Sequence, residues 1–275
     1  MRWDLGQRSG NVEDRRGMGG GTMIAGGGIG ALVIAGIVYL LGGDPSAVLQ
    51  GSGDPAPVQQ GQPGSRPDDR LADFSSAVLG QTEQVWTRVF EAHGMTYRPP
   101  VMVLYDGATQ TGCGFGQAAT GPFYCPVDHK LYLDLSFFRE MQQRLGAPGD
   151  FAEAYVIAHE VGHHVQTLLG QMSPDMAAGR GAGGGSVRLE LQADCYAGVW
   201  ANQDEAQNKV LEPGDIEEAL NAASAVGDDK LQQESRGYVT PDSFTHGTSA
   251  QRARWFNRGF RSGRIEDCDT SSGAL

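Results

Sequence analysis

The chain has 275 residues, of which 40% are hydrophobic, an ordinary fraction for a folded globular protein. Its formal net charge of -12 at pH 7 argues against nucleic acid and anionic membrane surfaces as main partners. The length leaves room for one large domain with appended segments.

The N-terminal third of the chain is not uniform. Residues 1–22 are polar, glycine-rich and carry several arginines, whereas residues 23–41 contain no charged side chain and are long enough to cross a bilayer as a helix. Because arginines favour the cytoplasmic side of a span, this pattern predicts a cytoplasmic segment at 1–22, a single transmembrane anchor at 23–41 and a domain outside the cytoplasm. A cleaved signal peptide is the alternative, although the apolar run is long for one. The many glycines disfavour a buried soluble helix.

Residues 42–68 are rich in Gly, Pro, Gln, Asp and Ser and contain few large apolar side chains. Such a composition cannot bury enough surface to offset the entropy of ordering, so it predicts a flexible linker.

The remaining residues, 69–275, form the predicted folded domain. Hydrophobic periodicity predicts an α+β fold that is mainly helical with a small β-sheet. The predicted strands are residues 100–105 and 130–135, and the predicted helices are residues 69–93, 136–145, 150–169, 187–202, 213–226 and 249–260. Gly170 is expected just after one helix and Pro213 at the first position of another. A glycine-rich loop is expected at residues 173–186.

All four cysteines lie in this domain. Cys113 and Cys125 bracket a turn-rich segment that a disulfide can close, and export from the cytoplasm would permit such a bond. We therefore predict a Cys113–Cys125 disulfide. For Cys195 and Cys268 the sequence leaves three possibilities open: a second disulfide, free buried thiols, or a Cys268 in a mobile tail.

The most informative motif is His159-Glu160-Val161-Gly162-His163. In a helix, positions i and i+4 lie one above the other, so His159 and His163 can bind one metal ion. Glu160 points to the side of that face, where it can take a proton from a zinc-bound water and deliver it to a leaving amine. Zinc accepts this ligand set and keeps one position open for water in catalytic sites, so a third protein ligand is expected.

The surroundings of the motif favour this interpretation over a chance match. The residues on either side are largely apolar and predict a buried helix. Histidines and a glutamate inside such a helix would be costly unless they were paired or bound a metal.

The third ligand is predicted downstream. Glu190 and Asp194 are again separated by four positions, on an otherwise apolar and small-residue helix. We expect Glu190 to bind the metal and Asp194 to accept the free N–H of a ligand histidine, most plausibly His159. A solvated acidic face paired with Arg188 is the alternative.

These motifs together resemble a known family. HExxH followed by ExxxD resembles the gluzincins and, more distantly, the HtpX-like membrane metalloproteases. The closer resemblance is to the YpfJ-type neutral zinc metallopeptidases of bacteria, and it rests on residues 11–17 (NVEDRRG), 158–166 (AHEVGHHVQ), 190–195 (ELQADC) and 245–252 (THGTSAQR). It covers nearly the whole chain and implies a gluzincin-like zinc peptidase domain with one Zn²⁺ per chain.

The other histidines receive lesser roles. His246 lies just before a helix whose N-cap is Thr248 or Ser249, and it is our candidate for a donor to the oxyanion of the reaction. A structural hydrogen bond at the helix start is the competing role, because HtpX-like enzymes have Pro where this chain has Gly247. His164 lies about 100° from the ligand face and should pack or be exposed. We expect His93 and His129 to be ordinary surface or loop residues.

The sequence therefore predicts a membrane-anchored zinc metallopeptidase, with His159, His163 and Glu190 as metal ligands and Glu160 as the catalytic base. Its partners would be a peptide or protein substrate and the lipid bilayer. The strand at residues 130–135 is expected to bind the peptide by edge pairing. Two alternatives share the site: a catalytically idle zinc-binding scaffold, and a zinc amidohydrolase that acts on a non-peptide substrate. Asp228 and Asp229 are expected to cap a turn.

Overall fold

A computed structural model of the protein describes residues 1–17, 68–117, 121–172 and 178–275. The predicted transmembrane anchor at 23–41 and nearly all of the predicted linker lie outside these ranges. Among the described residues, no helix combines the length and apolar character needed to cross a bilayer.

The α+β prediction is confirmed, with helices dominating a small sheet. In the described part of the chain the helices are α1 Asp69–Ala92, α2 Ser136–Gln143, α3 Asp150–Leu168, α4 Gly185–Asn208, α5 Asp215–Ala225, α6 Asp228–Arg236 and α7 Ser249–Ser262. Six of them coincide with predicted helices, although α4 runs six residues past its predicted end at residue 202, and α6 was not predicted. Gly170 follows α3 with a φ of 70°, the left-handed conformation expected after a helix end.

One helix start differs from the prediction, and a second is decided between the two predicted N-caps. Helix α5 begins at Asp215, not at Pro213, because Gly214 adopts a φ of 103° and the Asp215 carboxylate accepts the Glu212 N–H at 2.8 Å. Helix α7 begins after Thr248, whose hydroxyl accepts the Gln251 N–H while the Gln251 side chain accepts the Thr248 N–H. This reciprocal cap selects Thr248 from the two predicted candidates.

The strands are short. They are β1 Val12–Asp14, β2 Val101–Tyr105, β3 Ala108–Thr111, β4 Gly114–Gln117, β5 Phe123–Cys125 and β6 Lys130–Asp134. Four of them form a sheet in the order β1-β2-β6-β5, in which β2 is parallel to both β1 and β6, and β5 is antiparallel to β6. Strands β3 and β4 form a separate antiparallel hairpin.

The position of β6 corrects one prediction. Strand β6 lies between β2 and β5, so its main-chain groups are paired on both sides and it is not an edge strand. Alternating hydrophobicity predicted the strand itself correctly, but it does not reveal whether a strand has one neighbour or two. The edge on this side of the sheet is β5, which pairs with β6 from Phe123↔Tyr132 to Cys125↔Lys130.

The N-terminal residues are part of the same compact unit as the catalytic domain, which comprises residues 1–15 and 68–275. Strand β1 pairs with β2, and the Asn11 carbonyl accepts the Met102 N–H at 2.8 Å. Strands of one sheet lie on one side of a membrane. The predicted topology, with residues 1–22 in the cytoplasm and the domain outside it, stays a prediction, and the β1–β2 pairing argues against it.

Close helix crossings bring the site together. Helix α3 is buried continuously from Phe151 to Gln166. It crosses α4 at Gly162, where a Cβ would lie 2.9 Å from the Ala193 carbonyl oxygen. Helix α7 crosses α4 even more closely, since a Cβ at Gly198 would lie 2.1 Å from the Phe256 carbonyl oxygen. Helix α4 is thus held between α3 and α7, and their side chains meet around it.

Two disulfides cross-link the domain. The predicted Cys113–Cys125 bond is confirmed and closes the segment that contains β4 and β5. The question left open for the other pair is answered by a second bond, Cys195–Cys268, which ties α4 to the C-terminal 3₁₀ helix Ile265–Cys268.

Candidate metal centre

Three side chains from two helices converge on one point. His159 and His163 project from α3 and Glu190 from α4, and their ligand atoms all lie within 4.8 Å of one another. The Glu190 carboxylate bridges the imidazoles: Oε2 lies 3.2 Å from His159 Nε2, and Oε1 lies 3.4 Å from His163 Nε2. The structure therefore brings together the three residues that the sequence predicted as metal ligands.

The Nδ1 atom of each ligand imidazole has its own hydrogen-bond acceptor. His159 Nδ1 lies 2.8 Å from Asp194 Oδ1, and His163 Nδ1 lies 2.8 Å from Gln166 Oε1. Because a carboxylate oxygen and an amide oxygen can only accept, each Nδ1 carries a hydrogen, and on binding a metal each imidazole would present the Nε2 lone pair to it. Metal-binding histidines use this tautomer.

The donor set and its charge fit a divalent ion such as zinc. Two imidazole nitrogens and one carboxylate are the ligands of catalytic zinc sites, which leave one position open. Glu160, Glu190 and Asp194 face a single buried guanidinium, that of Arg252, which leaves a formal charge of -2 with neutral imidazoles. Among the described residues, no further His, Cys, Asp or Glu joins this group of ligand atoms.

The pKa values of the metal-free site show the same excess of negative charge. Burial lowers the pKa of His159, but the carboxylates of Asp194 and Glu190 outweigh it and raise that pKa to about 10. Burial alone would raise the pKa of Glu190, yet the two imidazoles hold it well below its usual range. In the absence of a metal, protons are therefore stabilised where a cation would bind.

Arg252 was missed by the sequence analysis. It lies on α7 and donates to both oxygens of Asp194, from Nε at 2.9 Å and from Nη2 at 2.9 Å. Tyr155, one turn before His159 on α3, also donates to Asp194 through its hydroxyl. Asp194 thus accepts from three buried side chains, and this network fixes both its charge and the orientation of His159.

Glu160 lines a cavity beside the metal ligands. The cavity has a volume of about 530 Å³. Burial raises the pKa of Glu160, which makes its carboxylate a stronger base than an exposed one. The other lining residues are mostly apolar: Gly121, Pro122, Phe123, Tyr124, Phe137, Glu140, Leu145, Tyr155, Val156, Met172, Val226 and Leu231, besides His159, His163, Glu190, His246 and Arg252.

His246 reaches the same cavity with an exposed ring. Its position is set by Asp228, the first residue of α6, whose Oδ2 accepts the backbone N–H groups of Thr245, His246 and Gly247. The other carboxylate oxygen lies 3.2 Å from His246 Nδ1, and this contact raises the pKa of His246. Asp228 therefore organises the loop that carries His246, although it begins helix α6 instead of capping the predicted turn.

The remaining histidines lie away from the ligands. His164 is packed in the core, where its Nδ1 meets the Tyr124 hydroxyl at 3.1 Å and its Nε2 meets the Arg98 carbonyl at 2.7 Å. Burial lowers the pKa of His164 to about 4, so it is neutral. His129 contacts the other side of the Tyr124 hydroxyl, and His93 forms an exposed ion pair with Glu266.

Comparison with known proteins places these features in a family. The family described as "Putative neutral zinc metallopeptidase" matches residues 1–271. The chain is 50% identical over 284 residues to "Uncharacterized protein YpfJ" of Escherichia coli (strain K12), covering 98% of each protein. It is 48% identical over 188 residues to an uncharacterized protein of Mycobacterium tuberculosis (strain H37Rv), covering 65% of this chain and 64% of the relative. No solved structure matches the chain.

Proposed function

The chain belongs to the neutral zinc metallopeptidase family, and on this basis we propose that it hydrolyses peptide bonds at a zinc site formed by His159, His163 and Glu190. The observation that carries the proposal is the convergence of both Nε2 atoms and the Glu190 carboxylate within 4.8 Å, beside Glu160 in the same cavity. Bound zinc supplies a Lewis acid that polarises a carbonyl and lowers the pKa of water.

Each residue of the chain then has a defined task. The Glu160 carboxylate takes the proton of the attacking water and returns it to the leaving amine. Asp194 and Gln166 hold the two imidazoles in the ligand tautomer. His246, which its contact with Asp228 favours in the protonated form, is the proposed donor to the oxyanion that develops on the substrate carbonyl.

The cavity favours a substrate with a large apolar side chain next to the scissile bond. Val156 lies one turn before Glu160 on the same face of α3, so the cavity extends from the ligands towards the start of that helix. Half-buried apolar side chains also line the cavity: Phe137 on α2, Leu145 just after that helix and Leu231 on α6. Apolar surface that the chain itself leaves uncovered is suited to an apolar side chain of the substrate.

The edge of the sheet suits the substrate backbone. Strand β5 is an edge strand of the sheet formed by the described residues, and Phe123 and Tyr124 on it line the cavity together with Gly121 and Pro122. An extended peptide can pair with such an edge through its main chain. We therefore assign to β5 the substrate pairing first expected for β6.

The test combines metal analysis with cleavage of a peptide library by the purified protein. We expect about one zinc per chain, and we expect Glu160→Gln to keep the zinc while cleavage falls by at least about a thousandfold, because the base is lost. Glu153→Gln is the matched control: it makes the same change on the same helix, outside the cavity lining. Retained turnover in Glu160→Gln would refute the mechanism.

The alternatives predict other results from the same experiment. An idle scaffold would bind zinc, and no library peptide would be cleaved by the wild type. The three-residue ligand group within the described residues argues against a closed structural site, since such sites usually have four protein ligands. A non-peptide amidohydrolase would cleave other amides with the same dependence on Glu160.

Membrane association through residues 23–41, with the catalytic unit outside the cytoplasm, remains a proposal. Its support is the uncharged sequence of that segment and the two disulfides, which persist in oxidising compartments. The pairing of β1 with β2 places residues 12–14 on the same side as the catalytic unit, so the proposal is membrane attachment by residues 23–41 without a single crossing between the two.

Fractionation of cells tests this proposal. We expect the protein to remain in the membrane pellet after alkaline carbonate washing. A protease added to spheroplasts should reach epitope tags at the N-terminus and at the C-terminus alike. Release of the protein by carbonate, or protection of both tags, would contradict it.

A further inference from the structure

The two metal-binding histidines are held in different ways. His159 is held by an ionic network, whereas His163 is held by a neutral chain of hydrogen bonds that leads away from the site. We infer that the C-terminal 3₁₀ helix, Ile265–Cys268, positions His163 through the buried side chains of Gln166 and Gln192. The inference rests on the zinc site of the proposed function.

The chain of hydrogen bonds is continuous. His163 Nδ1 donates to Gln166 Oε1 at 2.8 Å, and Gln166 Nε2 donates to Gln192 Oε1 at 3.0 Å. Gln192 Nε2 then donates to the Cys268 carbonyl at 3.1 Å. Gln166 is fully buried and Gln192 is 5% exposed, so water has little access to these bonds.

Two main-chain carbonyls set the direction of the relay. Gln166 Nε2 also donates to the Leu189 carbonyl at 2.7 Å. A carbonyl can only accept, so the amide nitrogens must face Leu189 and Cys268, and the amide oxygens must face back towards His163. An amide oxygen opposite His163 Nδ1 requires a hydrogen on that nitrogen. The lone pair is then on Nε2, where the metal would bind.

The disulfide holds the far end of the relay. Cys195 follows Asp194 on α4, and its bond to Cys268 fixes the accepting carbonyl to the helix that also supplies Glu190. Both cysteines are fully buried. Formation of this disulfide therefore completes the arrangement that selects the tautomer of His163, and metal affinity should depend on it.

The experiment measures zinc affinity in two relay variants. Gln192→Met removes both amide contacts with little change in volume, and a Cys195→Ala/Cys268→Ala variant removes the tether. Zinc affinity is measured by competition with a chromogenic chelator, at a temperature where circular dichroism shows every variant to be folded. We expect the zinc Kd to rise by about tenfold or more in each variant. Both changes act through the Cys268 carbonyl. The zinc Kd of the combined variant should therefore rise by less than the product of the two single fold-changes.

Two matched controls separate positioning from general loss of stability. Thr270→Val removes a different tie between the C-terminal segment and α4, the 2.7 Å bond to the Arg188 carbonyl. A Cys113→Ala/Cys125→Ala variant removes the other disulfide. Both should keep the wild-type zinc Kd. The visible absorption spectrum of the Co²⁺-substituted protein should change in Gln192→Met and stay unchanged in Thr270→Val.

The outcomes distinguish this inference from the function it rests on. Wild-type zinc affinity in Gln192→Met, or an equal loss in the controls, would overturn the relay. A wild-type protein that binds zinc and cleaves no peptide would overturn the proposed function alone.

Discussion

Asp194 shows how the site keeps a charge inside the protein. Its side chain is fully buried, yet both oxygens accept from the Arg252 guanidinium, and Oδ1 also accepts from His159. Burial alone would raise the pKa of Asp194, but Arg252 and His159 lower it, so the carboxylate stays ionised. The ionised carboxylate is what orients His159. Arg252 therefore helps to orient the metal ligand His159, and it does so through Asp194.

We predict that Arg252→Met destabilises the protein strongly. The substitution removes the guanidinium from which both oxygens of this buried carboxylate accept, and that loss costs about 3 to 5 kcal/mol. Urea unfolding of the zinc-free protein measures the loss. Arg254→Met, an exposed position on the same helix, is the control and should change stability by less than about 0.5 kcal/mol. A loss below about 1 kcal/mol in Arg252→Met would show that Asp194 is stabilised by other means.

Glu153 predicts a pH dependence of stability. It is 3% exposed on α3 and accepts from Gln142 Nε2 at 2.8 Å. Burial, with smaller contributions from the carboxylates of Asp150 and Glu218, raises the pKa of Glu153 from 4.5 to about 7. The folded state therefore binds this proton more tightly than the unfolded state does. The protonated Glu153 contributes fully to the free energy of unfolding below pH 4.5, and this contribution is lost as the pH rises through about 7.

The test compares Glu153→Gln with the wild type across this range. The amide cannot ionise, so the variant should gain stability relative to the wild type by up to about 3 kcal/mol between pH 4.5 and 8. Urea unfolding at a series of pH values measures the difference. Glu140→Gln makes the same change at an exposed position on α2 and is the control. A parallel curve for Glu153→Gln would contradict the prediction.

Local spacing explains which site residues the sequence could reveal. The two ligand histidines, His159 and His163, are four positions apart on one helix, and so are Glu190 and Asp194. Gln166 lies three positions after His163 on the same helix, a spacing that also brings two side chains together. The sequence therefore contained a sign of this contact that the prediction did not use. Arg252 is different, because it lies 58 residues from Asp194 and meets it only through the crossing of α4 and α7. No local pattern encodes that contact.

At the scale of elements, the site depends on the close contact between α4 and α7. A Cβ at Gly198 would lie 2.1 Å from the Phe256 carbonyl oxygen, and one at Gly259 would lie 1.9 Å from the Cys195 carbonyl oxygen. Only glycine allows backbones to approach this closely. The approach is also what brings Arg252 within reach of Asp194.

Gly198→Ala should therefore destabilise the protein although alanine favours helices. The gain in helix propensity is about 1 kcal/mol, whereas forcing two packed helices apart costs about 1 to 3 kcal/mol and displaces Arg252 as well. We expect a net loss in thermal stability together with weaker zinc binding. Gly183→Ala, where a Cβ would meet no atom within 4 Å, is the control. Unchanged stability in Gly198→Ala would mean that the helices can separate freely.

The long helices were predictable because their periodicity extends over many residues. The strands β1, β4 and β5 have only three or four residues each, too few to establish an alternation. Their partners are also set by the tertiary fold: β1 pairs with β2, from which it is separated by more than 80 residues. This is why β6 was correctly predicted as a strand and wrongly placed at the edge of the sheet.

At the scale of the whole molecule, the catalytic unit is completed by the first residues of the chain. Strand β1 extends the sheet beside β2, and Ser9 and Asn11 both donate to Glu83 on α1, at 2.6 and 2.8 Å. Trp3 packs edge to face on Phe74 with ring centroids 5.4 Å apart. These contacts make residues 1–15 a structural part of the domain.

This arrangement predicts opposite results for two shortened chains. Replacing residues 18–67 by a flexible Gly/Ser linker of about 20 residues keeps β1 and should preserve zinc binding and the unfolding free energy of the unit. A chain that starts at residue 68 exposes the edge of β2 and the side chain of Phe74, so it should lose at least about 3 kcal/mol and tend to aggregate. Urea unfolding and zinc titration of both chains measure this difference. Equal unfolding free energies of the two chains would show that residues 1–15 do not stabilise the domain. That result would be compatible with residues 1–15 on the opposite side of a membrane from the domain.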